Sequence, residues 1–166
     1  MEFPERKQLR LPEYDYSAPG AYFVTICTQD RRCILSAVRR GDPCGRPQVE
    51  LSRYGKIAQE SLTAVERLFG VHFDVHVVMP NHVHFICRID AERATARVAP
   101  TLGRIVGAYK SIAANGCRKA GFAGKLWQRG YYEHVVRSET DYREVWDYID
   151  GNPGKWTEDD YYLPDA

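Results

Sequence analysis

The sequence predicts an α+β fold, a single antiparallel sheet with helices on one face and a further helix towards the C-terminus. Three observations predict it. Strand-like runs at residues 21–28, 73–79, 82–89 and 127–136 alternate with stretches of helical period at residues 54–69, 102–118 and 138–151. The two middle runs are separated only by Pro80 and Asn81, a hairpin signature that makes them antiparallel neighbours. The resulting order is strand, helix, strand, strand, helix, strand, helix, and the ferredoxin-like arrangement lets every element bury one apolar side.

Each element has its own local reason. Residues 21–28 are β-branched and aromatic, and the turn signal Pro19-Gly20 opens them. Residues 31–50 contain a Gly/Pro/Arg stretch with neither helical nor strand period and read as an exposed loop that interrupts one domain spanning residues 1–166. The first helix places Ile57, Leu62, Val65, Leu68 and Phe69 on one side and stops at Gly70. The second carries Ile105, Val106, Tyr109 and Ile112 as its stripe despite Gly107. The third opens on the capping sequence at Ser138 to Asp141, carries Tyr142, Val145, Trp146 and Ile149, and is ended by Pro153.

Composition narrows the class. Apolar residues at 44% and charged residues at 27% exclude disordered and fibrous chains. Met1 to Arg10 lacks the apolar core of a signal peptide and no run is long enough to span a bilayer, so a cytoplasmic protein away from membranes is expected. Cys27, Cys33, Cys44, Cys87 and Cys117 are scattered without a CxxC pair, which points to neither a disulfide framework nor a thiolate zinc site. The net charge is only +1, yet it is unevenly spread. Arg104, Lys110, Arg118, Lys119, Lys125 and Arg129 follow one another without an intervening acid, while Glu158, Asp159, Asp160 and Asp165 crowd the tail. A basic face with acid elsewhere is compatible with phosphate binding and equally with a solvated helix.

The segment Met79-Pro-Asn-His82-Val-His84 is the strongest local feature. Residues two apart on a strand share a face, so His82 and His84 can converge on one ion while Val83 and Phe85 enter the core. Two imidazoles do not complete a coordination sphere, and oxygen donors must come from elsewhere. Asn152, four residues beyond Tyr148 on the last helical stretch, offers an amide oxygen on the same side as that phenol. Periodicity alone does not single out Tyr148 among the eleven tyrosines.

Four segments together resemble a known family. They are Tyr22-Phe-Val-Thr-Ile-Cys-Thr28, the His82/His84 segment, residues 127–137 from Trp127 to Arg137, and Asp147-Tyr148-Ile-Asp-Gly-Asn152-Pro153. In this order they resemble the REP-associated tyrosine transposases, a branch of the single-tyrosine HUH transposases of insertion sequences, over residues 10–160. The resemblance implies that His82, His84 and Asn152 hold Mg²⁺ or Mn²⁺ and that Tyr148 is the nucleophile. It implies cleavage and rejoining of single-stranded or hairpin DNA through a 5′-phosphotyrosine, on a ferredoxin-like sheet. The family includes obligate dimers and monomers, and a monomer is the expectation here, with a dimer as the alternative. The 31–50 loop looks longer than the family's usual connection.

For DNA contacts, Arg104, Lys110, Arg129 and Arg137 are candidates for the backbone, and Trp127 or Tyr131 for stacking on an unpaired base. Trp127 reads first as a core residue and only second as a stacking platform. Glu133 and His134 should face opposite sides of their strand, with His134 able to orient a phosphate or a ligand. Two rivals use the same features differently. A binding module would hold single-stranded DNA or RNA on the sheet without cutting it, and a metal hydrolase would activate water without needing the phenol.

Overall fold

The computed structural model describes residues 14–39, 41, 45, 47–94 and 100–164. The readings made of Met1 to Arg10, Cys44, Asp165 and part of the 31–50 stretch lie outside them.

The main sheet has four strands, β1 (Gly20–Cys27), β4 (His72–Val78), β5 (His82–Ile89) and β6 (Tyr132–Val136), in the order β4-β5-β1-β6 with all neighbours antiparallel. Helices α1 (Arg53–Phe69) and α3 (Leu102–Lys119) cover one face. This is the ferredoxin-like arrangement expected from the order of elements. Alternation along β5 decides the faces. Val83, Phe85, Cys87 and Ile89 join Tyr22, Val24 and Ile26 of β1 in the main core against Leu62, Val65, Ile105, Val106 and Tyr109. His82, His84 and Ile86 are turned to the opposite face.

That opposite face receives α4 (Glu139–Gly151), which seats Ile149 against Phe23 and Ile86 with Val75, Val77, Tyr142 and Val145 around them. Ser138 caps α4 as its sequence suggested, its hydroxyl accepting from Asp141 N at 3.1 Å. Two polar ties fix the helix laterally. Tyr142 Oη donates to Asp74 of β4 at 2.9 Å, and His134 Nε2 of β6 meets both carboxylate oxygens of Asp141 at 2.9 and 3.0 Å.

Several expectations are corrected. Among the described residues of 31–50, the two ends of the expected loop pair as strands. A 3₁₀ turn at Gln29–Arg31 leads in, and a two-stranded ribbon of β2 (Ser36–Arg39) and β3 (Gln48–Leu51) follows, with Leu35 fully buried. Strands this short carry too few residues for a period to emerge. Gly55 lets α1 approach this ribbon, since a Cβ there would collide with the Leu35 carbonyl. The strand expected over residues 127–136 begins only at Tyr132, Trp127 making an isolated bridge to Thr28. Leu68, placed on the apolar side of α1, is 64% exposed, because Ala58, Ser61, Leu62 and Val65 form the face that packs. Trp146 is likewise at the rim of α4 and exposed. The end of α4 is as expected, since the α-helix stops at Gly151, just before Pro153. The chain tightens into a 3₁₀ helix at Asn152–Glu158, which needs no N–H at its first turn and so tolerates proline there. A single turn, α2 (Ala91–Ala94), was also not foreseen.

Candidate active site

His82 and His84 lie side by side on the α4 face of β5, ring centroids 4.3 Å apart, and both are buried. Both rings are held from behind, and for His82 this sets the tautomer. Asn81 Nδ2 donates to the carbonyls of Arg31 at 3.1 Å and Tyr161 at 2.8 Å, which leaves its Oδ1 to accept from His82 Nδ1 at 2.9 Å. The His82 proton therefore sits on Nδ1 and the Nε2 lone pair is free. His84 Nδ1 is bonded to Thr25 Oγ1 at 2.8 Å, which orients that ring with Nε2 outward from β1.

Asn152 follows α4 and keeps α-helical dihedrals (φ −57°, ψ −41°), so the one-turn spacing from Tyr148 is preserved. Its Nδ2 donates to Asp159 Oδ2 at 2.8 Å, which fixes the amide and leaves Oδ1 without a partner. Among the described residues, His82 Nε2, His84 Nε2 and Asn152 Oδ1 are all buried side-chain atoms that make no hydrogen bond. Leaving a buried polar atom unpaired costs about 1–3 kcal/mol each. Three such atoms at one place suggest donors awaiting a cation. Asp159 joins them. Its carboxylate is 2% exposed and stands 3.9 Å from His82 Nε2, and the ligand atoms of His82, His84 and Asp159 all fall within 4.8 Å of one another.

Electrostatics agree with this geometry. Burial pushes His82 down to about 4, against the opposing pull of the Asp159 carboxylate. Burial and the neighbouring His82 hold His84 well below the ordinary imidazole value. Both rings are thus neutral at pH 7, the state a metal ligand requires. Tyr148 stands over His84 and Phe23, with ring centroids 5.3 and 5.9 Å away, and remains 46% exposed. Its phenol is raised, first by partial burial and then by the Asp159 and Asp160 carboxylates, with the Asn152 amide pulling the other way.

The pair of histidines is roofed by the segment after α4. Tyr161 lies 4.7 Å from the His82 ring and Trp156 5.9 Å from it, centroid to centroid. Beside the roof, between β6 and α4, opens a cavity of about 540 Å³ whose walls include Phe23, Tyr132, His134, Asp141, Glu144 and Tyr148.

The structure brings His82, His84, Asn152 and Tyr148 together as the sequence foresaw. It distributes the expected DNA contacts unevenly. Arg104, Arg129 and Arg137 are exposed, Arg104 on α3 across the sheet from Tyr148. Lys110 is spent internally, donating to the carbonyls of Gln128 at 2.6 Å and Gly130 at 2.9 Å. Trp127 is buried and its Nε1 donates to Lys110 O at 3.1 Å, while Tyr131 packs against the main core. Trp127 is thus spent in the core, while Tyr131 stays partly exposed. His134 faces the site side of β6, as only one of the two neighbours could, but its Nε2 is committed to Asp141, and Glu133 is buried on the other side. Asp159, Asn81 and Thr25 were not anticipated. Thr25 shares strand parity with His84's partner position, and Asn81 directly precedes His82, so both could have been found as orienting groups. Asp159 was read only as part of an acidic tail.

No helix of the described residues is long and apolar enough to cross a membrane. No family model matches the chain. An uncharacterized protein of Haemophilus influenzae is 30% identical over 174 aligned positions, covering 95% of this chain and 93% of that protein. The solved structure of a REP-associated tyrosine transposase bound to a REP hairpin superposes with a TM-score of 0.64 at 23% identity, over 88% of this chain and 73% of that one. A candidate transposase of Deinococcus radiodurans R1 gives 0.50 at 17% identity, over 86% and 97%. The chain belongs to one family with the Haemophilus influenzae protein, and its fold is that of the REP-associated tyrosine transposases.

Proposed function

We propose that the chain is a metal-dependent single-tyrosine DNA strand transferase that cleaves and rejoins single-stranded or hairpin DNA. The observation that carries this reading is that three buried donor atoms, His82 Nε2, His84 Nε2 and Asn152 Oδ1, are left without hydrogen bonds where Tyr148 packs against His84. The mixed nitrogen and oxygen donor set fits Mn²⁺ or Mg²⁺, with Asp159 as a further oxygen at hand. A divalent cation held there would supply Lewis acidity to a phosphate oxygen and offset the negative charge that keeps the Tyr148 phenol protonated.

The chain's own residues account for the rest. Asn81 and Thr25 hold the two imidazoles in orientation, so that no reorganisation is needed when a phosphate arrives. Ile149 and the Asp74 and His134 ties fix α4, and with it the angle of Tyr148. The phenolic oxygen attacks phosphorus, the bond from phosphorus to the 3′ oxygen breaks, and the phenolic proton passes to water while the departing oxygen takes one up. The products are a 5′-phosphotyrosine on Tyr148 and a free 3′-hydroxyl. Attack by a 3′-hydroxyl on the same link reverses the step and rejoins a strand, which is why the covalent bond conserves the energy of the one broken. The structural neighbour bound to a REP hairpin supports a folded DNA arm as the substrate class.

The test uses a pool of hairpin oligonucleotides with randomised single-stranded flanks, incubated with the protein and Mn²⁺. A denaturation-resistant protein–DNA band is expected, absent in EDTA and absent in Tyr148→Phe, which removes one oxygen and leaves the ring. Cleavage retained in Tyr148→Phe would reject the nucleophile. Binding without any covalent band across the pool would favour the non-catalytic module.

A further inference from the structure

The turn that follows β1 holds its backbone in a costly conformation. Asp30 and Arg31 have φ of 57° and 53°, and among the described residues they are the non-glycine positions in the left-handed region. Glycine enters that region without the Cβ clash, so two successive L residues are kept there only where a side chain is put to use. We infer that Arg31 binds a backbone phosphate of the DNA strand, a neighbour of the phosphate held at the ion, and so fixes the register of the strand beside Tyr148. This rests on the reading of the chain as acting on DNA. It adds a residue that belongs neither to the ligand set nor to the walls of the cavity between β6 and α4.

The surroundings over-determine the turn. Arg31 N donates to Thr28 O at 3.1 Å, Arg32 N donates to Gln29 O at 3.3 Å, and the Arg31 carbonyl accepts from Asn81 Nδ2 at 3.1 Å. The backbone that bears Arg31 is therefore clamped by the same amide that orients His82. From there the side chain crosses the tail. Its Nη1 donates to Asp160 O at 3.2 Å, and its cation lies over the Tyr161 ring, 5.2 Å from the centroid. Tyr161 in turn stands 4.7 Å from the His82 ring. A single aromatic ring thus separates this positive charge from the ligand cluster, which places a phosphate bound by Arg31 beside the ion's phosphate and not upon it.

The guanidinium is held but not neutralised. It carries five N–H donors, and among the described residues Arg31 spends one of them, on a carbonyl, and makes no ion pair. Contact with the Tyr161 ring steadies the group and leaves its remaining donors for the two oxygens of a phosphate. The distribution of charge agrees. Asp141, Glu144 and Asp160 wall the cavity on the α4 side, so beyond the one phosphate that the cation offsets, the backbone is better placed over the other side. There the turn adjoins the loop that carries the exposed Lys125 and Arg129, through Gln29 N to Leu126 O at 2.8 Å and Arg32 Nη2 to Lys125 O at 3.1 Å.

The experiment measures fluorescence anisotropy of the full chain in EDTA with a DNA hairpin that bears a single-stranded thymine arm on each side, over a series of salt concentrations. Arg31→Gln is expected to weaken binding about three- to tenfold at low salt and to lower the slope of log affinity against log salt by about 0.7, the share of one single-strand phosphate. Arg67→Gln, an exposed position in the last turn of α1, should leave the slope as it was. Arg31→Lys keeps the charge and loses the fork, and should restore the slope without the full affinity. Replacing the arm phosphates one at a time by uncharged methylphosphonate should reveal one position that weakens the wild type and not Arg31→Gln. An arginine that only latched the tail would lower the melting temperature and leave both the slope and the methylphosphonate profile unchanged, and that outcome would overturn the inference. If the slope does not move while the Tyr148 adduct forms, Arg31 alone is misassigned. If the slope falls and no adduct ever forms, the phosphate contact stands and the strand-transferase reading falls.

Discussion

If the proposed site binds a divalent cation, adding it should raise the stability of the whole domain, because the empty site leaves buried polar atoms unsatisfied. His82 Nε2, His84 Nε2 and Asn152 Oδ1 are buried without partners, and each such atom costs about 1–3 kcal/mol relative to a bonded one. A cation that satisfies them binds the folded chain and has no comparable site in the unfolded one. At a hundredfold excess over its dissociation constant it therefore stabilises the fold by about 2.7 kcal/mol. For a chain of 166 residues that corresponds to a rise in Tm of about 5–10 °C. Calorimetry of EDTA-treated protein titrated with MnCl₂ measures it. His84→Ala deletes one donor and should lose most of the rise, which separates the site from weak binding at surface carboxylates. A folded wild-type protein whose Tm ignores Mn²⁺ and Mg²⁺ alike would refute the reasoning. An identical rise in His84→Ala would place the ion elsewhere.

Other outcomes follow from the same geometry. Ile149→Ala removes the fully buried anchor of α4 and should cost about 2–4 kcal/mol in urea unfolding, with adduct formation slowed further than Tyr142→Phe slows it. In EDTA, His82 titrates near 4 when folded and near its ordinary 6.5 when unfolded. Its folded value is depressed, so the stability it contributes is whole above about 6.5 and is lost as pH falls towards 4, with His84 acting in the same direction. The urea midpoint should fall across that window, and His82→Gln should flatten the slope. Lys110→Met leaves the carbonyls of Gln128 and Gly130 without their donor and should lower stability by about 1–3 kcal/mol without changing the salt dependence of DNA binding. Arg129→Gln should reduce that slope by about one if Arg129 meets a phosphate.

How much of this was legible depends on the kind of signal. The His82/His84 pair was readable because strand parity is a local property, and one residue between two imidazoles already places both on a face. The apolar stripe of α4 was readable too, but not which side of the sheet it would take. That choice rests on Phe23 and Ile86 forming a second, smaller apolar patch with Val75 and Val77 beside it. Leu68 shows the limit of periodicity, since a 17-residue helix offers more apolar positions than its packed face can use. Lys110 looked like a ligand for DNA because composition records charge, not the carbonyls that satisfy it, whereas the core reading of Trp127 was the one the fold realises. Asp159 was illegible because its place depends on a change of helix type seven residues earlier.

That change links the nucleophile to its surroundings. Had α4 continued as an α-helix past Asn152, Asp159 would have been carried about 10 Å along the axis, away from the histidines. Pro153 instead begins a 3₁₀ turn, the path folds back, and the Asp159 carboxylate returns to accept from Asn152 and to stand beside His82. The same return lays Tyr161 against His82 and lets Asn81 bind the Tyr161 carbonyl, which in turn fixes the tautomer of His82. Tyr148, the last α-helical turn before the break, keeps its phenol at the open edge. One proline thus divides the C-terminal segment into a part that exposes the Tyr148 phenol, the proposed attacking group, and a part that encloses the proposed ligand atoms. The separation is necessary, for a ligand cluster must be dry enough to hold its charges in fixed positions while a nucleophile must meet a strand that arrives from solvent.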